Sequence, residues 1–159
     1  MNCEMKTEQD IIRELRDIFD KYSDKRILVL GTTCAGKTTL LKHFPEGLDM
    51  DVVVMGTLPE ELQDRFRKAP RPFAQDLVEI WNKYLETAIQ TVEIEAGHPL
   101  FAATVFRSDI IVYLNISDET LRERTMKRNF KYELAEKYNN LFKDYLKITE
   151  LPVIIVDIP

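Results

Sequence analysis

Apolar residues at helical spacing open the chain. Ile11, Leu15, Ile18, Phe19 and Tyr22 follow Thr7-Glu8-Gln9-Asp10, a capping-box-like start with Asp in place of the usual Glu. The spacing predicts an amphipathic helix within residues 1–25, packed by its apolar face against a sheet. The run Ile27–Leu30 is wholly apolar and reads as a buried strand, and 37–44 as a helix closed by Pro45 and Gly47. Val52-Val53-Val54-Met55 reads as a second strand. A helix over 58–66 carries Pro59 near its start, where proline is tolerated. Pro70 and Pro72 interrupt the chain before a long helix over 73–90, with Leu77, Ile80, Trp81, Tyr84 and Leu85 on its apolar side. A third strand is expected at 91–96, ending at Gly97, followed by a short helical piece over 99–106. Residues 110–114 form a strong strand, 118–128 a charged helix, 132–146 another helix and 153–156 a last strand.

Strands alternating with helices predict a three-layer α/β/α domain around a mainly parallel, doubly wound sheet of about five strands. Chemistry in such sheets collects at the carboxyl ends of the strands, so the residues just after each strand are the ones to inspect. The 159 residues suffice for one domain with a sizeable core, and no repeat, linker or low-complexity stretch divides them. The formal charge of −5 disfavours nucleic acid as a bulk partner, whose footprint is usually basic. No apolar run approaches a membrane span, and Met-Asn-Cys-Glu-Met-Lys is no signal peptide. Two cysteines, Cys3 and Cys34, are too few for a disulfide framework, so a reduced, cytoplasmic setting is expected.

The residues after the first strand change the picture most. Gly31-Thr32-Thr33-Cys34-Ala35-Gly36-Lys37-Thr38 matches Gly-x-x-x-x-Gly-Lys-[Ser/Thr] in the strand–loop–helix setting that makes it a phosphate-binding loop. Glycines at both ends let successive N–H groups turn inward onto polyphosphate oxygens, and the following helix adds the positive end of its dipole. Lys37 then reaches the β- and γ-phosphates, the Thr38 hydroxyl serves Mg²⁺, and Thr39 completes the loop's nucleotide contacts. A nucleoside triphosphate, ATP with Mg²⁺, is the expected ligand of this P-loop NTPase fold. Cys34 reads either as a tolerated loop side chain or as a redox-sensitive gate.

A second signal follows the 110–114 strand. Arg124 and Arg128 stand four residues apart, hence on one face of a helix. This arrangement resembles the adenylate-kinase-like group of phosphate-loop kinases, in which the helix after the fourth strand carries an Arg-x-x-x-Arg pair at the start of a lid. The resemblance implies a short lid over 117–135, with Arg124 beside the base and Arg128 on the phosphates, both joining Lys37 in catalysis. Permanently charged planar forks suit phosphoryl transfer, which needs positioned cations on non-bridging oxygens. The alternative is a solvated helix face paired with Glu119 and Glu123.

The same resemblance implies an acidic residue closing the strand beside the phosphate-loop strand. Glu95 matches that place and is expected to help hold Mg²⁺, with Thr38 and Asp51. Glu93 fits less well, because a central parallel strand is buried on both faces. Asp49-Met-Asp51 resembles the Asp-x-Asp of the shikimate-kinase branch, where carboxylates meet metal and acceptor hydroxyl. Its register conflicts with a strand at 52–55, which would leave both carboxylates at the wrong end. Arg67 and Arg71 fall where related kinases keep an acceptor-binding arginine and offer an anion clamp. Helices within 58–90 are accordingly expected to hold the acceptor, alongside Asp51.

These residues together favour a kinase that transfers phosphate from Mg-ATP to a small metabolite, nucleoside or nucleotide. A non-catalytic nucleotide-binding regulatory module is the alternative, since the expected base-contacting loop after the last strand is missing from this sequence. A GTPase-type switch predicts Asn-Lys-x-Asp; Asn82-Lys83-Tyr84-Leu85 ends in leucine instead.

Overall fold

A computed structural model describes residues 5–159; Cys3 lies outside them. The first helix, α1 (Glu8–Lys21), starts at a complete capping box: Thr7 N donates to Asp10 Oδ2 at 2.8 Å and Asp10 N to Thr7 Oγ1 at 3.2 Å. Its buried face is Ile11, Leu15, Ile18 and Phe19, as the spacing predicts. The elements that follow are β1 (Ile27–Leu30), α2 (Lys37–Leu41), β2 (Leu48–Asp49), α3 (Met50–Thr57), α4 (Glu60–Lys68) and α5 (Gln75–Thr91). Then come β3 (Leu100–Ala102), β4 (Ile110–Ile116), α6 (Asp118–Lys127), α7 (Tyr132–Ile148) and β5 (Val153–Ile158).

The five strands form one all-parallel sheet in the order β2-β3-β1-β4-β5. Side chains alternate across it with the strand period of two. Ile27, Val29, Val112 and Leu114 join α1, α2 and α6 on one face. Leu28, Leu30, Ile111 and Tyr113 meet α3, α4, α5 and α7 on the other. Both faces are covered, which is why β1 and β4 read as continuous apolar runs rather than alternating ones. At the amino end, Asp109 accepts from Arg26 Nη2 at 2.7 Å and from Arg26 N at 2.9 Å, pinning the start of β1 against β4. Strand order reverses at β1 and β3, which places a ligand crevice at their carboxyl ends.

Four expectations are corrected. The 52–55 run is helical: Asp49 caps α3 by accepting from Asp51 N at 2.8 Å, and Met50 and Val54 pack inward one turn apart. Val52 is 69% exposed, which a strand buried on both faces would not allow. The 91–96 strand does not form, because α5 continues to Thr91 and the chain then passes through a turn. The strand beside β1 is Leu100–Ala102, where a helical piece was expected; its residues are all buried and pair with Leu28, Val29 and Leu30. The second helix is also shorter than expected, ending in turns at Leu41–Phe44. No helix among the described residues is long and apolar enough to cross a membrane.

Candidate nucleotide and acceptor site

The loop after β1 is tightly built. Gly31 extends the sheet through its N–H to Ala102 O at 3.1 Å, and a Cβ there would sit 3.1 Å from Ala35 Cβ and 3.3 Å from Leu114 Cβ. Thr32 is buried and its hydroxyl donates to Ala135 O at 2.7 Å, tying the loop to the first turn of α7. Cys34 (φ 69°) and Gly36 (φ 98°) adopt left-handed conformations on either side of Ala35, the curl that turns amides inward. Cys34 is buried, at 4% exposure. Gly36 caps α2 without a side chain, so the amides of Lys37, Thr38 and Thr39 have no side-chain partner from the cap.

Lys37 folds back into this loop. Its ammonium donates to Gly31 O at 2.6 Å and Thr32 O at 2.7 Å. Burial lowers its pKa from 10.5 to about 8, opposed by the nearby carboxylates of Asp51 and Asp49. Arg124 lies over the loop: its Nη1 donates to Cys34 O at 3.4 Å and would be 2.8 Å from a Cβ on Gly36. Arg128 caps α6 and is exposed beside the same loop. Residues 117–135 amount to α6 and the short turn into α7.

With α3 in place of a strand, the register conflict disappears. Asp49 ends β2 and Asp51 stands in the first turn of α3, both at the carboxyl end of the sheet. A cleft of 240 Å³ joins them to Lys37, Thr38, Ala103 and Arg128. Partial desolvation by its surroundings, and Asp49 beside it, push the carboxyl of the still exposed Asp51 above its ordinary value, against the pull of Lys37 and Arg71. Asp49 spends one oxygen on the helix cap, so Asp51 is the carboxylate of the pair without a cap to hold.

Two residues expected at the site lie elsewhere. Glu95 is exposed in a turn ahead of β3, next to Gly97, whose nearest neighbour outside the turn is Ser23 O, before β1. That is the amino end of the sheet, opposite the phosphate loop. Glu93, also exposed, needs no partner once the 91–96 strand is gone. Arg67 is bound within α4, to Asp64 Oδ1 and Gln63 Oε1, each at 3.0 Å. Arg71 stays in play: its guanidinium is 4.1 Å from the Phe73 ring centroid and its charge reaches Asp51. Asp49 was legible only as the first member of the Asp-x-Asp pair.

The Gly-x-x-x-x-Gly-Lys-Thr loop thus faces the Asp-x-Asp pair across one cleft. The chain is similar to shikimate kinases. Those of Clostridium botulinum strains Langeland and Okra are each 24% identical over a 141-residue alignment, which covers 79% of this chain and 83% of the relative. No family model matches the chain. The similarity is distant and agrees with the α/β fold and five-stranded parallel sheet.

Proposed function

We propose that this protein is a kinase that transfers the γ-phosphoryl group of Mg-ATP to a hydroxyl of a small metabolite, nucleoside or nucleotide. The observation that carries this reading is the convergence of Lys37, Thr38, Asp49, Asp51 and Arg128 on one cleft. Distant similarity to shikimate kinases supports it.

The loop amides from Gly31 to Thr39 cradle the polyphosphate. Lys37 leaves its two carbonyls for the β- and γ-oxygens, and Arg128 and Arg124 offset charge on the group in transit. Thr38 and Asp51, with Asp49 behind them, form an all-oxygen donor set that fits Mg²⁺, a hard ion usually held by one or two carboxylates plus substrate phosphates. Bound there, the ion would neutralise charge on the β- and γ-oxygens. Asp51 accepts the proton of the acceptor hydroxyl as its oxygen bonds to phosphorus and the bond to ADP breaks. Asp49 already gives one carboxylate oxygen to the α3 cap, which leaves Asp51 the freer of the two for this step. Arg71 and the helices within 58–90 hold the acceptor, and 117–135 serves as a short lid.

A nucleotide-binding module without transfer is the second reading, favoured by the placement of Glu95 away from the loop. One experiment separates them: ADP release from Mg-ATP, with and without a panel of nucleosides, nucleoside monophosphates and hydroxylated acids, and Lys37→Ala as the blank. Release that rises with one acceptor class supports the kinase. ATP binding with flat release supports the module, and near-wild-type release by the Lys37→Ala variant overturns the role of Lys37.

A further inference from the structure

Two cavities open from the phosphate loop, and Cys34, Gly36 and Arg128 line both. One is the acid-lined cleft already described. The other, of 410 Å³, lies on the Thr39 and Leu40 side of the loop, under Arg124. Its lining also includes Lys6 just ahead of α1, Glu8 and Ile11 on its first turns, Ile158 at the end of β5, and Pro159. Pockets of about 300–1,000 Å³ take drug-sized ligands, so a sugar and base fit here, whereas the smaller cleft holds the carboxylates and the reacting end.

We infer that the N-terminal helix forms one wall of the nucleoside site, and that Glu8 recognises an amino-bearing edge of the base. The inference rests on the nucleotide-binding reading above and extends it to residues that the phosphate-loop motif does not reach. Ile11, Leu40 and Ile158 supply an apolar surface, and Arg124 a guanidinium plane of the kind that stacks on aromatic faces. Glu8 is the one acidic side chain among the described residues that line this cavity. A carboxylate repels phosphate, so in a nucleotide cavity its place is at the end away from the phosphates, where it accepts from N–H donors.

The wall is held firmly. The capping box fixes the chain at Thr7, Lys6 pairs with Glu14, and the Glu8 carboxylate lies 3.6 Å from His43 Nε2. Below it Ile11, Leu15 and Ile18 anchor α1 in the core. Lys6 and Glu8 thus face the cavity from an ordered helix start.

The test is calorimetric titration of the full chain with Mg-ATP, Mg-tripolyphosphate and the Mg complex of purine riboside triphosphate, which lacks the amino group. The wild type is expected to bind ATP more tightly than either of the other two. Glu8→Ala is expected to weaken ATP about tenfold, to leave tripolyphosphate within about twofold, and to erase the preference for the amino group. Glu8→Gln, whose amide oxygen still accepts, is expected to lose less; its unfolding temperature, measured beside the wild type, checks the fold. Unchanged ATP binding in Glu8→Ala, or equal weakening of ATP and tripolyphosphate, overturns the inference. A wild type that binds tripolyphosphate as tightly as ATP also overturns it, while leaving the phosphate loop standing. A wild type that binds none of the three overturns the nucleotide-binding reading as well.

Discussion

Lys37 is held in a place that costs the fold stability. Its ammonium end is enclosed between Gly31 O and Thr32 O, and burial brings its pKa from 10.5 down to about 8. Each pH unit of depression corresponds to about 1.4 kcal/mol. Keeping this charge in the folded state at pH 7 therefore costs roughly 3 kcal/mol. The sign follows from proton counts. Between about pH 8 and 10.5 the unfolded chain holds more protons at this position than the folded one, so stability rises with pH through that window, and the cost is fully present below it. Lys37→Met removes the charge but leaves two carbonyls without their donor, at about 1 kcal/mol each. The variant is expected to be more stable than the wild type by about 1 kcal/mol at pH 7, raising Tm by about 3 °C, while losing triphosphate binding. Urea unfolding of both proteins at pH 7, 8, 9 and 10, without ligand, is the assay. As pH rises the wild type should gain about 2–3 kcal/mol while the variant gains nothing at this position, so the variant's lead at pH 7 should close near pH 9 and reverse by pH 10. Parallel pH profiles, or a variant already less stable than the wild type by more than about 1 kcal/mol at pH 7, would refute the reasoning.

Three other outcomes are expected. Asp51→Asn should lower turnover by about 10²–10³; a variant with normal turnover removes Asp51 as the base. Glu95→Gln should match the wild type in kcat and KM, because the residue sits at the opposite end of the sheet; a loss beyond about tenfold (roughly 1.4 kcal/mol in transition-state binding) would contradict that placement. The Asp109 carboxyl is held down from 3.8 to about 2 by its hydrogen bonds with Arg26, so it adds stability above about pH 4 that is lost as pH falls through about 2. Asp109 is 35% exposed, and solvent screening leaves about 1 kcal/mol of that effect. Asp109→Asn should be less stable by that amount at pH 7, with the difference closing in acid; a constant difference across an acid titration would count against the pairing.

What the sequence determined by itself is what short-range pattern carries. Residues 31–38 carry the Gly-x-x-x-x-Gly-Lys-Thr spacing of a phosphate loop, and their left-handed curl at Cys34 and Gly36 is local turn chemistry. The capping box and apolar spacing of α1, and the unbroken apolar runs of β1 and β4, state their own type for the same reason. Arg124 and Arg128 share a helix face from spacing alone, and both reach the loop. Tertiary structure decided the rest. A four-residue apolar run such as Val52-Val53-Val54-Met55 suits a strand or a buried helix equally, and long-range packing chooses between them. Here the Asp49 cap and the burial of Met50 and Val54 on α3 made the choice, which brought Asp49 and Asp51 to the site. The three residues of β3 are too few to show a period, and pairing with β1 and β2 makes them a strand, which leaves Glu95 on the far side. No local signal at Lys6 or Glu8 points to a ligand. They meet the phosphate loop because α1 packs across the sheet beside β5, an encounter between chain positions some 25 to 150 residues apart in the sequence.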